Sequence, residues 1–162
     1  MVDRVSRTAA VLVASTRAAA GVYTDRTGPI IATWLQEHGF GEVDPVVVAD
    51  ADVAAALQRI VAAQPDLVLT TGGTGIAPGD RTPEATRALL DAELPGIPEE
   101  VRRRGSAASA SALLSRAVAG IAGRTIVVNL PGSSGGVRDG LAVLGDVLDH
   151  LLDQLAGGDH PA

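Results

Sequence analysis

The chain has 162 residues, 46% of them hydrophobic and 20% charged, with a net charge of −6; this suits one folded domain, taken as 1–162, and excludes a disordered chain. The acidic balance and the presence of only Tyr23, Trp34 and Phe40 as aromatics argue against a nucleic-acid or anionic-membrane binder. All 13 basic residues are arginine and cysteine is absent, which excludes Schiff-base and Walker-type lysines, thiolate nucleophiles, disulfides and zinc–sulfur sites.

The three histidines, His38, His150 and His160, supply a metal site or a nucleophilic triad poorly. Arg4 and Arg7 precede an apolar stretch at 9–14 that is too short for a leader core. No run approaches the ~20 apolar residues of a membrane helix. The expected location is the cytoplasm, with no membrane partner.

In chain order, residues 8–14 form a short apolar run suited to a strand buried on both faces. A helix is expected from Pro29, with Ile30, Ile31, Trp34 and Leu35 at helical spacing and Gly39 as its stop. Residues 43–48 read as a strand interrupted by Pro45, which starts late or lies near an edge. Asp52 is expected to cap a helix over 53–63. Residues 67–69 read as a third strand, and Thr82-Pro83 as the start of a helix to about Leu90, with Thr82 as its cap. Leu94-Pro95-Gly96-Ile97-Pro98 reads as a loop, 99–104 as a helical turn or two, and 106–111 has no clear periodicity. Residues 125–130 form a clear strand, and 137–155 the best amphipathic helix in the chain.

Strands alternating with helices predict a three-layer α/β/α fold with a mostly parallel central sheet. Ligands in such sheets bind outside the carboxyl ends of the strands. Three loops there are unusual: Asp50 after the second strand, 72–80 after the third and 131–136 after the last. Gly72-Gly73-Thr74-Gly75 permits positive φ and convergent backbone N–H groups, so it reads equally as a tight turn or an anion cradle. It is neither a dinucleotide fingerprint nor a Walker loop. Asp50 and Asp80 each have a plain reading as charges near helix starts. Together, beside a glycine-rich loop, they make a candidate Mg²⁺ and phosphate site. The loop at Pro131-Gly132-Ser133-Ser134-Gly135-Gly136, preceded by Asn129, reads as a flexible turn or an anion or adenine shelf at a helix start. Arg102-Arg103-Arg104 reads as a solvated patch that could also attract an anion, and Trp34 as core.

Thr70-Thr71-Gly72-Gly73-Thr74-Gly75, followed by Gly79-Asp80 and Thr82-Pro83-Glu84, resembles the signature of the Mog/MoaB family of molybdenum cofactor biosynthesis. Ser15-Thr16-Arg17, Gly21-Val22-Tyr23 with Asp25, Leu94-Pro95-Gly96, Leu114-Ser115-Arg116 and Asn129-Leu130-Pro131-Gly132-Ser133 fit the family pattern in order, closest to the actinobacterial Mog type. The resemblance implies the Mog/MoaB-like fold, usually as a homotrimer. It implies molybdopterin adenylyltransferase activity: molybdopterin and ATP, with Mg²⁺, give adenylylated molybdopterin and pyrophosphate, and a molybdenum insertase acts downstream. It places the key aspartates at Asp50 and Asp80, as catalytic residues and metal ligands, and the phosphate loop at Gly72, Gly73, Thr74 and Gly75. It places the nucleotide loop at Asn129, Pro131, Gly132 and Ser133, the first-loop serine at Ser15, and Ser115 near the pterin. The alternatives are a MoaB-like protein that binds molybdopterin with little adenylylation, or a protein-interaction module on the same fold. Two departures stand out. Thr16 replaces an acidic residue common after the first-loop serine, which weakens a role there. The stretch 106–112 lacks the usual proline, which leaves the pterin side less defined.

Overall fold

The computed structural model describes residues 6–158; Arg4 and His160 lie outside them. Six strands form one mixed sheet in the order β2-β1-β3-β6-β5-β4. β1 (Ala9–Ala14), β2 (Val46–Val48), β3 (Leu67–Thr71) and β6 (Thr125–Leu130) run parallel. β5 (Ala119–Ala122) pairs antiparallel with β6, and β4 (Ala92–Glu93) antiparallel with β5. The sheet is thus parallel through the half that carries the glycine-rich loops, and antiparallel at the other edge.

Strand residues alternate between two hydrophobic layers, as the pleat dictates. Val11, Val13, Leu67, Leu69, Ile126 and Val128 face one layer with α2 (Thr27–Glu37) and α6 (Ser134–Leu155). Leu12, Ala14, Val68 and Val127 face the other, with α3 (Val53–Ala62) and side chains around α4 (Thr82–Arg87). α1 (Thr16–Ala19) is a single turn after β1, and α5 (Gly96–Ser106) packs on α6. The helix that follows β1 lies on one face and the helix that follows β3 on the other, so the crevice between these neighbouring strands is a topological switch point.

As the interrupting Pro45 predicts, β2 begins late and is an edge strand, because proline cannot donate to the ladder. Other elements differ from the sequence expectation. Asp52 makes no side-chain cap; Asp50–Asp52 is a 3-10 turn leading into α3. Thr82 is not the cap of α4 but its first residue, behind Arg81, and the helix ends at Arg87. The proline-containing stretch at 94–98 is not wholly loop, since α5 starts at Gly96. Pro98 falls in the first helical turn, where a missing N–H does no harm. α6 starts earlier than its apolar periodicity, at Ser134, because the Ser133 hydroxyl accepts from the Gly136 N–H.

Candidate functional site

The parallel register aligns four strand ends on one rim. Ala14 pairs with Val48, Val13 with Thr71, and Thr71 with Leu130. Ser15, Asp50, Gly72 and Pro131 follow those ends, and the Ser15 N–H donates to the Val48 carbonyl at 2.9 Å. Chain topology alone therefore gathers three of the loops singled out in the sequence.

Gly72 and Gly73 take φ of +85° and +66°, a left-handed conformation that admits glycine readily. A Cβ on Gly72 would lie 2.3 Å from the Ala14 carbonyl oxygen; one on Gly73 would lie 2.4 Å from the Thr82 hydroxyl. That hydroxyl is buried and has no hydrogen-bond partner. The loop's carbonyls are tied down. Gly73 C=O accepts from the Thr82 N–H at 3.1 Å, and Thr74 C=O from the Arg116 N–H at 2.8 Å. Gly75 C=O accepts from Arg116 Nε at 2.7 Å. In a trans peptide the C=O and the following N–H point to opposite sides, so the amides of Thr74, Gly75 and Ile76 turn away from these ties. None of the N–H groups of Gly73, Thr74, Gly75 and Ile76 donates to a protein acceptor. Four successive donors without acceptors, with their carbonyls anchored behind, form a backbone nest suited to an anion.

The two aspartates reach this loop from different places. Asp50 Oδ1 lies 3.4 Å from where a Gly73 Cβ would stand. Asp80 Oδ2 lies 2.8 Å from the same position on Gly75, and accepts from the Ala77 N–H at 3.1 Å. Both are only partly buried. Thr16, whose departure from the family pattern weakens a role there, contacts Asp50 directly. Its hydroxyl donates to Asp50 Oδ2 at 2.8 Å and accepts from the Asp50 N–H at 3.1 Å. A hydroxyl that both donates to the carboxylate and accepts from its backbone holds Asp50 in one orientation.

Two clefts flank the loop. The larger, about 650 Å³, is lined by Gly72, Gly73, Thr74, Gly75 and Asp80 on one side. Arg102, Ser109, Ser115 and Asp139 stand opposite, with Pro131, Gly132 and Ser133 at the rim. The smaller, about 430 Å³, is lined by Ser15, Tyr23, Asp25, Arg26, Thr71 and again Gly72, Gly132 and Ser133. A Cβ on Gly132 would stand 3.3 Å from the Gly72 Cα, so the two glycine turns meet where the clefts adjoin. Asp50 lines neither cleft; its carboxylate stands beside Gly73.

Asn129 differs from the expectation of a ligand contact. It is 2% exposed. Its Nδ2 donates to the hydroxyls of Thr70 and Thr86, both at 2.9 Å, and its Oδ1 accepts from the Val118 N–H at 3.2 Å. With its side chain committed inside the protein, it braces the rim from beneath. The Thr71 hydroxyl donates to the Pro131 carbonyl at 2.7 Å, locking the last loop to β3. Ser15 caps α1 by accepting from the Ala18 N–H at 3.1 Å. Ser115 Oγ accepts from the Ala117 N–H at 3.3 Å, and its carbonyl accepts from Arg102 Nη1 at 3.2 Å. Of the arginine run, Arg103 and Arg104 pair with Glu100, and Arg104 also with Asp146, whereas Arg102 lines the larger cleft. Trp34 packs against the core and stacks on His38 at 3.9 Å.

Sequence reasoning missed Thr16 and Arg116 as parts of the site. Arg116 also pairs with Glu84, whose carboxyl is held below the usual range chiefly by that hydrogen bond. The family pattern marked both positions, but their partners stand more than 30 residues away in sequence.

A family profile described as a probable molybdopterin-binding domain of molybdenum cofactor biosynthesis matches residues 10–150. The molybdenum cofactor biosynthesis bifunctional protein of Synechococcus elongatus is 41% identical over 94% of the chain, which covers 48% of that relative. The chain thus spans about half the length of the bifunctional relative. The molybdopterin adenylyltransferase of Helicobacter pylori strain J99 is 35% identical over 91% of the chain and 86% of its own length. The solved structure of the molybdopterin biosynthesis Mog protein from Mycobacterium ulcerans is 56% identical. It covers 92% of this chain and 99% of that one, with a TM-score of 0.88.

Proposed function

The chain belongs to the Mog/MoaB family of probable molybdopterin-binding domains, and from that premise we propose that it is a molybdopterin adenylyltransferase acting as a single domain. In this reading the terminal phosphate oxygen of molybdopterin attacks the α-phosphorus of ATP. The bond from that phosphorus to the bridging oxygen of the β-phosphate breaks, and pyrophosphate leaves with the electron pair. Such transfers need positioning and charge neutralisation more than covalent help from the protein.

The single observation that carries the reading is the run of amides at Gly73, Thr74, Gly75 and Ile76, donor groups without protein acceptors that follow directly on Gly72, which lines both clefts, with Gly73, Thr74 and Gly75 lining the larger one. They bind phosphate oxygens in this proposal. The larger cleft, with Ser115 and Arg102, receives the pterin; the smaller, with Ser15, Gly132 and Ser133, receives the nucleotide. Arg102 in the larger cleft and Arg26 in the smaller suit the absence of lysine, since a planar guanidinium recognises phosphate well.

Mg²⁺ fits the donor set. No cluster of three or more His, Cys, Asp or Glu forms a metal cage among the described residues. Magnesium is commonly held by one or two carboxylates with substrate phosphates and water. Asp50 and Asp80, both leaning on the phosphate loop, would hold it, and it would neutralise charge on the triphosphate. The proposal includes a cytoplasmic homotrimer that passes its product to a molybdenum insertase. Among the described residues no helix is long and apolar enough to cross a membrane.

The test is incubation with molybdopterin, ATP and Mg²⁺, with adenylylated molybdopterin and pyrophosphate as the readout. Asp80→Asn keeps the fold and is expected to lower turnover by about 10²-fold or more, as the loss of one transition-state charge partner does elsewhere. Near-normal turnover in that variant contradicts the role of Asp80. Binding without product in the unmodified protein supports the MoaB-like alternative, and no ligand binding supports an interaction module.

A further inference from the structure

Arg116 commits its side chain and its backbone N–H to the protein. Nε donates to the Gly75 carbonyl at 2.7 Å, and Nη2 to the Asp80 carbonyl at 2.8 Å. Nη1 pairs with the Glu84 carboxylate. Its own N–H holds the Thr74 carbonyl at 2.8 Å. One residue therefore grips both ends of the segment from Thr74 to Asp80, and through Glu84 the helix that follows. These partners leave the guanidinium turned inward on the loop rather than toward a substrate.

We infer that Arg116 is the positioning residue of the phosphate loop, acting through the peptides that it anchors. The inference rests on the adenylyltransferase reading for its kinetic arm. The physical argument is one of peptide geometry. The Gly75–Ile76 peptide can direct its N–H away from Arg116 only while its carbonyl stays on Nε. Release of that bond lets the peptide rotate, and a glycine on one side of it makes rotation easy. The Nη2 bond to the Asp80 carbonyl fixes the residue that bears the second carboxylate. Arg116 thus sets the donor direction at one point and the carboxylate position at another.

The same residue joins the two halves of the site. Its neighbour Ser115 lines the larger cleft, and the carbonyls of Ser115 and Ala117 are both held by Arg102 Nη1, at 3.2 and 3.1 Å. The strap from Ser115 to Ala117 is fixed to α5 on the pterin side and to the glycine-rich loop on the phosphate side.

Arg116→Lys keeps a positive charge but cannot reproduce the planar fork that reaches Gly75, Asp80 and Glu84 together. It is expected to lower kcat on the order of 10²-fold, the scale of a misplacement of about 1 Å. KM for molybdopterin should stay within about threefold, because the anchor acts on the reacting geometry rather than on pterin binding. Glu84→Gln takes the charge from one of the three side-chain anchors and leaves a weaker neutral acceptor, and is expected to give a smaller loss in kcat of about three- to tenfold. It serves as the second variant should Arg116→Lys fail to fold by circular dichroism. Pyrophosphate affinity, measured by titration calorimetry without catalysis, should fall at least about tenfold in Arg116→Lys.

A wild-type kcat in both variants, or a loss confined to KM for molybdopterin, overturns the inference. If the unmodified protein makes no adenylylated product, the adenylyltransferase reading fails. The positioning claim then stands or falls on pyrophosphate affinity alone, and equal affinity in wild type and Arg116→Lys overturns it.

Discussion

Two glycine-rich turns sit side by side on the rim, and they use glycine for different reasons. In the turn after β3, Gly72 and Gly73 adopt positive φ, and the peptides that follow are aimed by contacts from Thr82, at the end of the same loop, and from Arg116, far along the chain. In the turn after β6 no residue has positive φ. Its order is local: Ser133 caps α6, and Gly136 is small because a Cβ would stand 2.6 Å from the Pro131 Cβ. The first turn is shaped to present donors, the second to let a helix start close against a neighbouring loop. Composition alone makes them look alike; the direction of their hydrogen bonds separates them.

The largest expected effect that tests this contrast comes from Gly73→Ala. Its Cβ meets the buried Thr82 hydroxyl at 2.4 Å in a left-handed conformation, so a destabilisation of about 1–3 kcal/mol is expected. Urea unfolding measures it, and phosphate binding should be lost with it. An unchanged midpoint would show that the left-handed geometry is not required.

Thr16→Val removes both hydrogen bonds that orient Asp50. A hydrogen bond to a charged group contributes ~1.5–3 kcal/mol, so kcat is expected to fall about tenfold or more. Thr16→Ser, which retains the hydroxyl, should recover most of the loss. A Val variant with full turnover would mean that Asp50 needs no such support.

In the other turn, Gly135→Ala is expected to stabilise the protein by about 0.5–1 kcal/mol, because alanine loses less entropy in a helix. Beyond its own chain neighbours and helix backbone, no atom lies within 4 Å of the added Cβ. Loss of stability there would erase the distinction between the turns.

The smallest effect concerns a surface network away from both. Glu100 is pulled down to about 2, first by its hydrogen bond from Arg103 and then by that from Arg104. Its folded value lies below the unfolded one, so its contribution is complete above the ordinary glutamate range and fades as pH falls from there through about 2. As part of a solvent-screened surface pair, it adds little. Glu100→Gln should lower Tm slightly at pH 7 and leave it unchanged near pH 2.

Much of the fold was legible where the local signal is strong. Residues 125–130 match β6 at both ends, and the long amphipathic pattern matches α6 apart from its capped start. β3 extends two residues beyond its apolar run because Thr70 and Thr71 find partners in Asn129 and Pro131, a tertiary effect no periodicity carries. β4 and β5 escaped notice because Ala-Glu and Ala-Gly-Ile-Ala carry too little pattern, and their pairing is set across the sheet edge. The gathering of Asp50, Asp80 and the glycine-rich loop was readable because topology sends strand ends to one rim. Thr16 and Arg116 were not, because each acts through a partner at least 30 residues away.

The most direct measurement is a titration of the ¹⁵N-labelled protein with pyrophosphate, following individual amide resonances. The account predicts large shifts at Gly73, Thr74, Gly75 and Ile76, where the donors stand ready, and a much smaller shift at the capped Gly136. Unshifted amides at 73–76, or shifts confined to the turn after β6, would contradict it.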